Sequence, residues 1–204
     1  MIGKEINKDA FRAMYARHEA HIEVLAQKAC VVHAEVNQTY GDGLPYAFHL
    51  RLTASFVTHF GHLLSLKEED VETVYAAAFF HDSLEDARLT YNDLTKLLVK
   101  LKEEHGLELN VHETVEAVFA LTNDKGRTRT ERAGEKYYAG IRATKFAPFL
   151  KMCDRLANIR YSTLYGLPTR MGKVYEEEMP HFLASIGEVP GEMVSEAWRM
   201  LREV

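Results

Sequence analysis

Apolar residues recur at helical spacing along almost the whole chain. From about Asp9 to Val36 they fall at Phe11, Met14, Ile22, Leu25, Ala29, Val32 and Val36, which share one helix face. Thr39-Tyr40-Gly41-Asp42-Gly43-Leu44-Pro45 breaks that helix with two glycines and a proline. A second helical pattern runs from about Tyr46 to Leu64. Ser65 with Glu68 has the form of a capping box, opening the apolar run Val71-Glu72-Thr73-Val74-Tyr75-Ala76-Ala77-Ala78-Phe79-Phe80, which leads to His81-Asp82. Thr90 with Asp93 opens another helix, closed by Gly106, and Asn110 with Glu113 opens one to about Leu121. The polar stretch Asn123 to Thr130 reads as a loop. Pro148 suits the first turn of a helix to about Tyr161, and Gly166-Leu167-Pro168 breaks it. Two C-terminal helices follow, split near Gly187 to Pro190. No strand-type alternation is evident. The pattern predicts an all-α chain, one domain over residues 1–204, built as a bundle of about eight to ten helices.

Composition narrows the picture. The chain has 204 residues, of which 47% are hydrophobic, enough for a substantial core. Lys and Arg number 25 against 30 Asp and Glu, a formal net charge of −5. That balance argues against a nucleic-acid binder, which shows a basic excess or stripe. A small anionic substrate remains compatible, because one cation and a few local charges reverse the field in a cleft. Cys30 and Cys153 lie in apolar helical patterns and read as free buried thiols in a reducing compartment. No apolar run reaches membrane-spanning length, and Met1-Ile2-Gly3-Lys4-Glu5 does not lead into a signal-peptide core. The expectation is a cytoplasmic protein with no membrane partner; its oligomeric state is not legible.

The chemistry concentrates in His81-Asp82-Ser83-Leu84-Glu85-Asp86, four ionisable groups in six residues after an apolar helix. A buried carboxylate beside an imidazole is costly unless something neutralises the pair, and a cation does so. Two further positions join them. His49 follows the glycine-rich break. Asp154 and Asn158 are four residues apart, on one face of an otherwise apolar helix. Alone, His49 reads as a core histidine and Asp154, beside Arg155, as a surface ion pair. Together with His81 and Asp82 they form a nitrogen/oxygen donor set suited to Mn²⁺, Fe²⁺ or Zn²⁺ more than to Ca²⁺.

The order His…His-Asp…Asp resembles the HD superfamily of metal-dependent phosphohydrolases. The longer series is more specific: Gly43-Leu44-Pro45-Tyr46-Ala47-Phe48-His49, then His81 to Asp86, then Leu121-Thr122-Asn123-Asp124-Lys125, then Asp154-Arg155-Leu156-Ala157-Asn158-Ile159-Arg160. It is similar to the hydrolase domain of the RelA/SpoT alarmone proteins, and closer to the small alarmone hydrolases of the metazoan SpoT homologue type. The resemblance implies an HD-type helical bundle in which His49, His81, Asp82 and Asp154 hold Mn²⁺. It implies that Glu85 and Asp86 orient and deprotonate the attacking water, and that Asn158 helps hold the nucleotide. It matches Lys125 to a lysine near the substrate; Arg160, two residues after Asn158, is a further candidate for its phosphates. The implied reaction is removal of 3′-pyrophosphate from (p)ppGpp. The chemistry of the residue types agrees: a divalent ion lowers the pKa of water and polarises a phosphoryl oxygen, and a nearby carboxylate takes the proton.

The chain departs from that pattern in the base pocket. A basic residue usually precedes the Gly-x-Pro-Tyr segment; here the stretch reads Asn37-Gln38-Thr39-Tyr40. Tyr40 is a candidate stacking platform with little preference among bases. Tyr161 stands where a small residue is common. Both changes bear on guanine selectivity, so a phosphatase acting on another nucleotide, such as NADPH, is the second expectation. A non-catalytic nucleotide-binding protein is the third.

Overall fold

The computed structural model describes residues 6–123, 127–164 and 170–202. The fold is all-α. Helix α1 spans Lys8–Glu35, α2 Ala47–Phe60, α3 Val71–Phe80, α4 Tyr91–His105 and α5 Val111–Leu121. A single turn, α6, covers Arg129–Arg132; then come α7 (Glu135–Ala143), α8 (Ala147–Thr163), α9 (Arg170–Ser185) and α10 (Gly191–Arg202). Lys125 and the Gly166-Leu167-Pro168 break lie outside the described residues.

Helix α3 is the axis of the bundle. All ten of its residues are buried, eight of them apolar, with Glu72 and Thr73 the polar exceptions near its start. Helices α1, α2, α5 and α8 each pack on it. Helix α8 packs in turn on α2 and α10. The buried apolar residues form one contiguous cluster reaching from Phe11 to Leu201.

Local signals set several boundaries as the sequence predicts. Thr90 Oγ1 accepts from the Asp93 N–H while Asp93 Oδ2 accepts from the Thr90 N–H, and Gly106 ends α4 at φ 67°. Asn110 Oδ1 accepts from the Glu113 N–H at the start of α5. Cys30 and Cys153 are free, the first half-buried and the second buried.

Three expectations need correction. The helix leading to His81 does not open at Ser65. A 3₁₀ turn at Glu68–Asp70 precedes α3, and the closing bond runs from the Lys67 N–H to Asp70 Oδ2. Leu66 is buried, so the chain is still entering the core at the position where a cap would begin the helix. The Thr39–Pro45 break contains a minimal antiparallel ladder, Thr39–Tyr40 on Leu44–Pro45, too short to show alternation. Its tight turn uses Gly41 and Gly43 at φ 53° and 91°, values that glycine adopts without a Cβ penalty. Finally, the stretch read as a loop to Thr130 already enters α6 at Arg129.

Candidate metal centre

Three elements deliver the donor atoms. His49 lies in the first turn of α2, just after the small hairpin. His81 and Asp82 leave the C-terminal end of α3, and Asp154 projects from the middle of α8. Helices α2, α3 and α8 pack on one another, so residues distant in sequence converge. His49 Nε2 lies 3.1 Å from His81 Nε2, 3.3 Å from Asp82 Oδ2 and 3.3 Å from Asp154 Oδ1. His81 Nε2 lies 2.9 Å from Asp82 Oδ2 and 3.7 Å from Asp154 Oδ1. Ligand atoms about 2.1 Å from one cation stand about 3.0–3.4 Å apart, so these spacings are close to the edges of a coordination polyhedron. Buried His49, His81 and Asp154 form a group able to hold a metal ion, with Asp82 beside both imidazoles.

Hydrogen bonding fits the same conclusion. His81 Nδ1 lies 2.8 Å from the Ala78 carbonyl, which only accepts, so this nitrogen carries the proton. In the neutral ring the Nε2 lone pair of His81 points at His49 Nε2. Two imidazole nitrogens meeting beside two carboxylates require a positive centre between them, either a proton or a cation. His49 Nδ1 is buried and has no hydrogen-bond partner among the described residues. The charges respond accordingly. Burial works against protonation of His81, but Asp82 and Asp154 outweigh it and push its pKa up to about 10. Burial would raise Asp154 and Asp82. The Lys151 ammonium and the imidazoles overcome this for Asp154, and the two imidazoles do so for Asp82, leaving both well below the usual carboxylate range.

The carboxylates are held from behind. Asn158 Nδ2 donates to Asp154 Oδ1 at 2.6 Å, and Lys151 Nζ donates to Asp154 Oδ2 at 3.0 Å. Asn158 Oδ1 accepts from the Tyr40 hydroxyl at 2.8 Å, and the Tyr40 ring lies over His49, centroids 4.7 Å apart at 18°. Tyr40 therefore touches both arms of the centre. Tyr46 Oη lies 2.6 Å from both Asp82 Oδ2 and Asp86 Oδ2. Burial, with Asp82 and Asp86, holds this phenol far above its usual pKa, so it keeps its proton. One proton cannot serve two acceptors fully; the second contact is satisfied when Asp86 carries a proton. Burial, with the charges of Asp82 and Glu85, raises Asp86 toward that state. Glu85 is exposed and accepts from the Asn123 side chain at 3.0 Å and from its N–H at 3.3 Å.

These groups border a cavity of about 330 Å³ whose wall includes Tyr40, Asn158, Glu85 and Asp86. Arg160 is exposed and Tyr161 is half-buried; neither is among the lining residues. The Tyr161 hydroxyl accepts from the Asp42 N–H at 3.1 Å, and a Cβ built on Gly41 would fall 1.9 Å from that oxygen. Tyr161 thus packs against the hairpin turn that precedes His49.

Several lining groups were not singled out as site residues from sequence. Helix α9 supplies the facing wall through Tyr175, Glu178, His181 and Phe182. Arg155, one residue after Asp154, lines the cavity, pairs with Glu178 at 3.0 Å and lies over the Phe182 ring at 4.3 Å. Arg132 and Lys151 add positive charge. Behind Tyr46, the buried His33 ring stacks at 4.4 Å and 3°. Burial lowers His33 to about 4, so it stays neutral. Tyr46, within the Gly-x-Pro-Tyr segment, and Lys151 and Arg155, flanking Asp154, carried a local signal. No protein-family model matches the chain, and no curated protein matches it.

Proposed function

We propose that this chain is a cytoplasmic, Mn²⁺-dependent phosphohydrolase of a small nucleotide that releases pyrophosphate from the 3′ position of a ppGpp-like substrate. The observation that carries the reading is the convergence of His49, His81, Asp82 and Asp154, with Glu85 and Asp86 on the same cavity. The resemblance of the ordered motifs supports the substrate class.

A divalent ion held by the four ligands would supply a water of lowered pKa and Lewis acidity toward a phosphoryl oxygen. The chain's own residues do the rest. Glu85, fixed by Asn123, accepts the proton of the attacking water. The water oxygen bonds to phosphorus, the bond from phosphorus to the 3′ oxygen breaks, and that oxygen takes up a proton. Asp86 is the carboxyl whose environment favours holding one. Lys151 and Asn158 keep Asp154 oriented. Of the half-buried lining cations, Lys151 pairs with Asp154 and Arg155 with Glu178, and Arg132 would meet a phosphate.

A second reading, phosphate release from another nucleotide such as NADPH, is favoured by the aromatic lining. Tyr137, Tyr138, Tyr175 and Phe182 offer ring surface that does not select guanine. Incubating Mn²⁺-loaded protein with ppGpp, GTP, ATP and NADPH and separating the products tests both. Pyrophosphate with GDP supports the first reading, and inorganic phosphate from another nucleotide the second. Tight binding without turnover of any nucleotide contradicts both.

A further inference from the structure

A second cluster lies at the opposite end of α3 from His81. Glu72 is almost wholly buried, 1% exposed, in the first turn of that helix. His18 and His21, one turn apart on α1, both direct Nδ1 at its Oε1, each at 2.7 Å. The other oxygen, Oε2, accepts from the Glu108 N–H at 2.6 Å, which fixes the carboxylate's orientation. The opposite nitrogen of His18, Nε2, lies 3.2 Å from Glu68 Oε1. Glu68 is itself gripped by Arg17, whose Nε donates at 2.6 Å.

For a neutral His18 this arrangement leaves the proton count unmet. A neutral imidazole has one N–H, yet both nitrogens of His18 face carboxylate oxygens. If Nε2–H donates to Glu68, the Nδ1 lone pair points at the negative Glu72 Oε1, and the contact is repulsive without a positive centre between them. A metal-bound histidine commonly donates its other N–H to a carboxylate, which is the place Glu68 occupies. We propose that His18, His21 and Glu72 form a second divalent transition-metal site, taking a cation of the Zn²⁺ or Co²⁺ kind, that clasps α1 to α3.

The donor set of two imidazoles and one carboxylate suits such borderline cations and occurs at zinc sites. The three donor atoms lie within 4.8 Å of one another. Binding at about 2.1 Å would open the two short contacts by a few tenths of an ångström. The His21 side chain is 35% exposed and can swing to allow this. That exposure also gives the ion a path from solvent and leaves room for water to complete its coordination. The site is separate from the first centre: nine residues along α3 from Glu72 to His81 amount to about 13 Å.

The test is metal stoichiometry and thermal stability of the full chain, stripped with chelator and titrated with Zn²⁺, and with Co²⁺ to read its d–d absorption. Wild type should bind one equivalent more than His21→Ala, and its Tm should rise with Zn²⁺ by several degrees more than that of the variant. His18→Gln should lose the same equivalent, showing that the cluster and not a lone surface imidazole holds it. His21→Ala should keep its Mn²⁺-dependent hydrolysis. Equal stoichiometry in wild type and His21→Ala, or a loss in His21→Ala that His18→Gln does not reproduce, overturns the proposal and leaves a proton on His18 in the metal's place. Failure of the first centre would show elsewhere, as wild-type stoichiometry in Asp154→Ala.

Discussion

The Tyr46 hydroxyl lies 2.6 Å from Oδ2 of Asp86, and the same oxygen reaches Asp82 at an equal distance. A single phenol thus links a proposed ligand to one of the two carboxyls assigned to water activation. Tyr46→Phe removes that link and keeps the ring stacked on His33. The variant should fold normally, bind Mn²⁺ about 10–100-fold more weakly, as for other groups that orient ligands, and lose activity in parallel. Circular dichroism with a Mn²⁺ titration checks it; wild-type affinity would show that Asp82 needs no such support.

Glu85 touches Asn123 and faces the cavity, outside the contacts that join the four proposed ligands. Glu85→Gln should therefore keep the metal and the fold while kcat falls by about 10²–10⁴-fold, the range for loss of a general base. A fall of less than about tenfold would move the role to Asp86 or away from both.

Tyr40 distinguishes two kinds of role. A residue that only stacks on a nucleobase would, when changed to Ala, raise KM for every nucleotide and leave kcat nearly unchanged. Here the ring lies on His49 and the hydroxyl holds Asn158. Tyr40→Ala should accordingly lower kcat and Mn²⁺ affinity as well as raising KM. Tyr40→Phe, which keeps the ring, should show a smaller loss. Steady-state kinetics at saturating Mn²⁺ separate the outcomes.

The metal-stripped protein should have a characteristic pH dependence. The His81 pKa of about 10 is raised from the ordinary 6.5, so its proton favours the folded state. That contribution is complete below about pH 6.5 and is lost as pH rises toward 10. Asp82 and Asp154 are depressed below the ordinary 3.8; their contribution is present above that value and is lost on acidification. Stripped protein should be most stable between about pH 4.5 and 6.5, with Tm falling on the alkaline side. Added Mn²⁺ should abolish the alkaline fall, because the cation replaces the proton and binds better as protons leave. A flat Tm profile across this range in stripped protein would contradict the coupling.

What the sequence made legible was local. The Thr90–Asp93 and Asn110–Glu113 caps act over three residues, and their partners are visible in the string itself. The His81-Asp82 pair stood out because the eight residues before it, Thr73 to Phe80, carry no charge. Long-range pairings were silent. Nothing near Tyr175 or Phe182 signals that α9 will face Asp154 across a cavity. Nothing near His18 signals a carboxylate at Glu72, 54 residues on. Ser65–Glu68 misled because the cap motif is short and the burial of Leu66, a tertiary effect, set the helix start instead. The hairpin at Thr39–Pro45 escaped notice because two-residue strands have no period to detect.

The most direct measurement is hydrolysis of the ppGpp, GTP, ATP and NADPH panel by wild-type and Asp154→Ala protein, each stripped with chelator and then given Mn²⁺. Stripped wild type should show no turnover and should recover with Mn²⁺, while Asp154→Ala, whose anionic ligand is gone, should not recover. Turnover that survives stripping, or a wild type that Mn²⁺ does not activate toward any of these nucleotides, would contradict the proposed Mn²⁺-dependent hydrolysis.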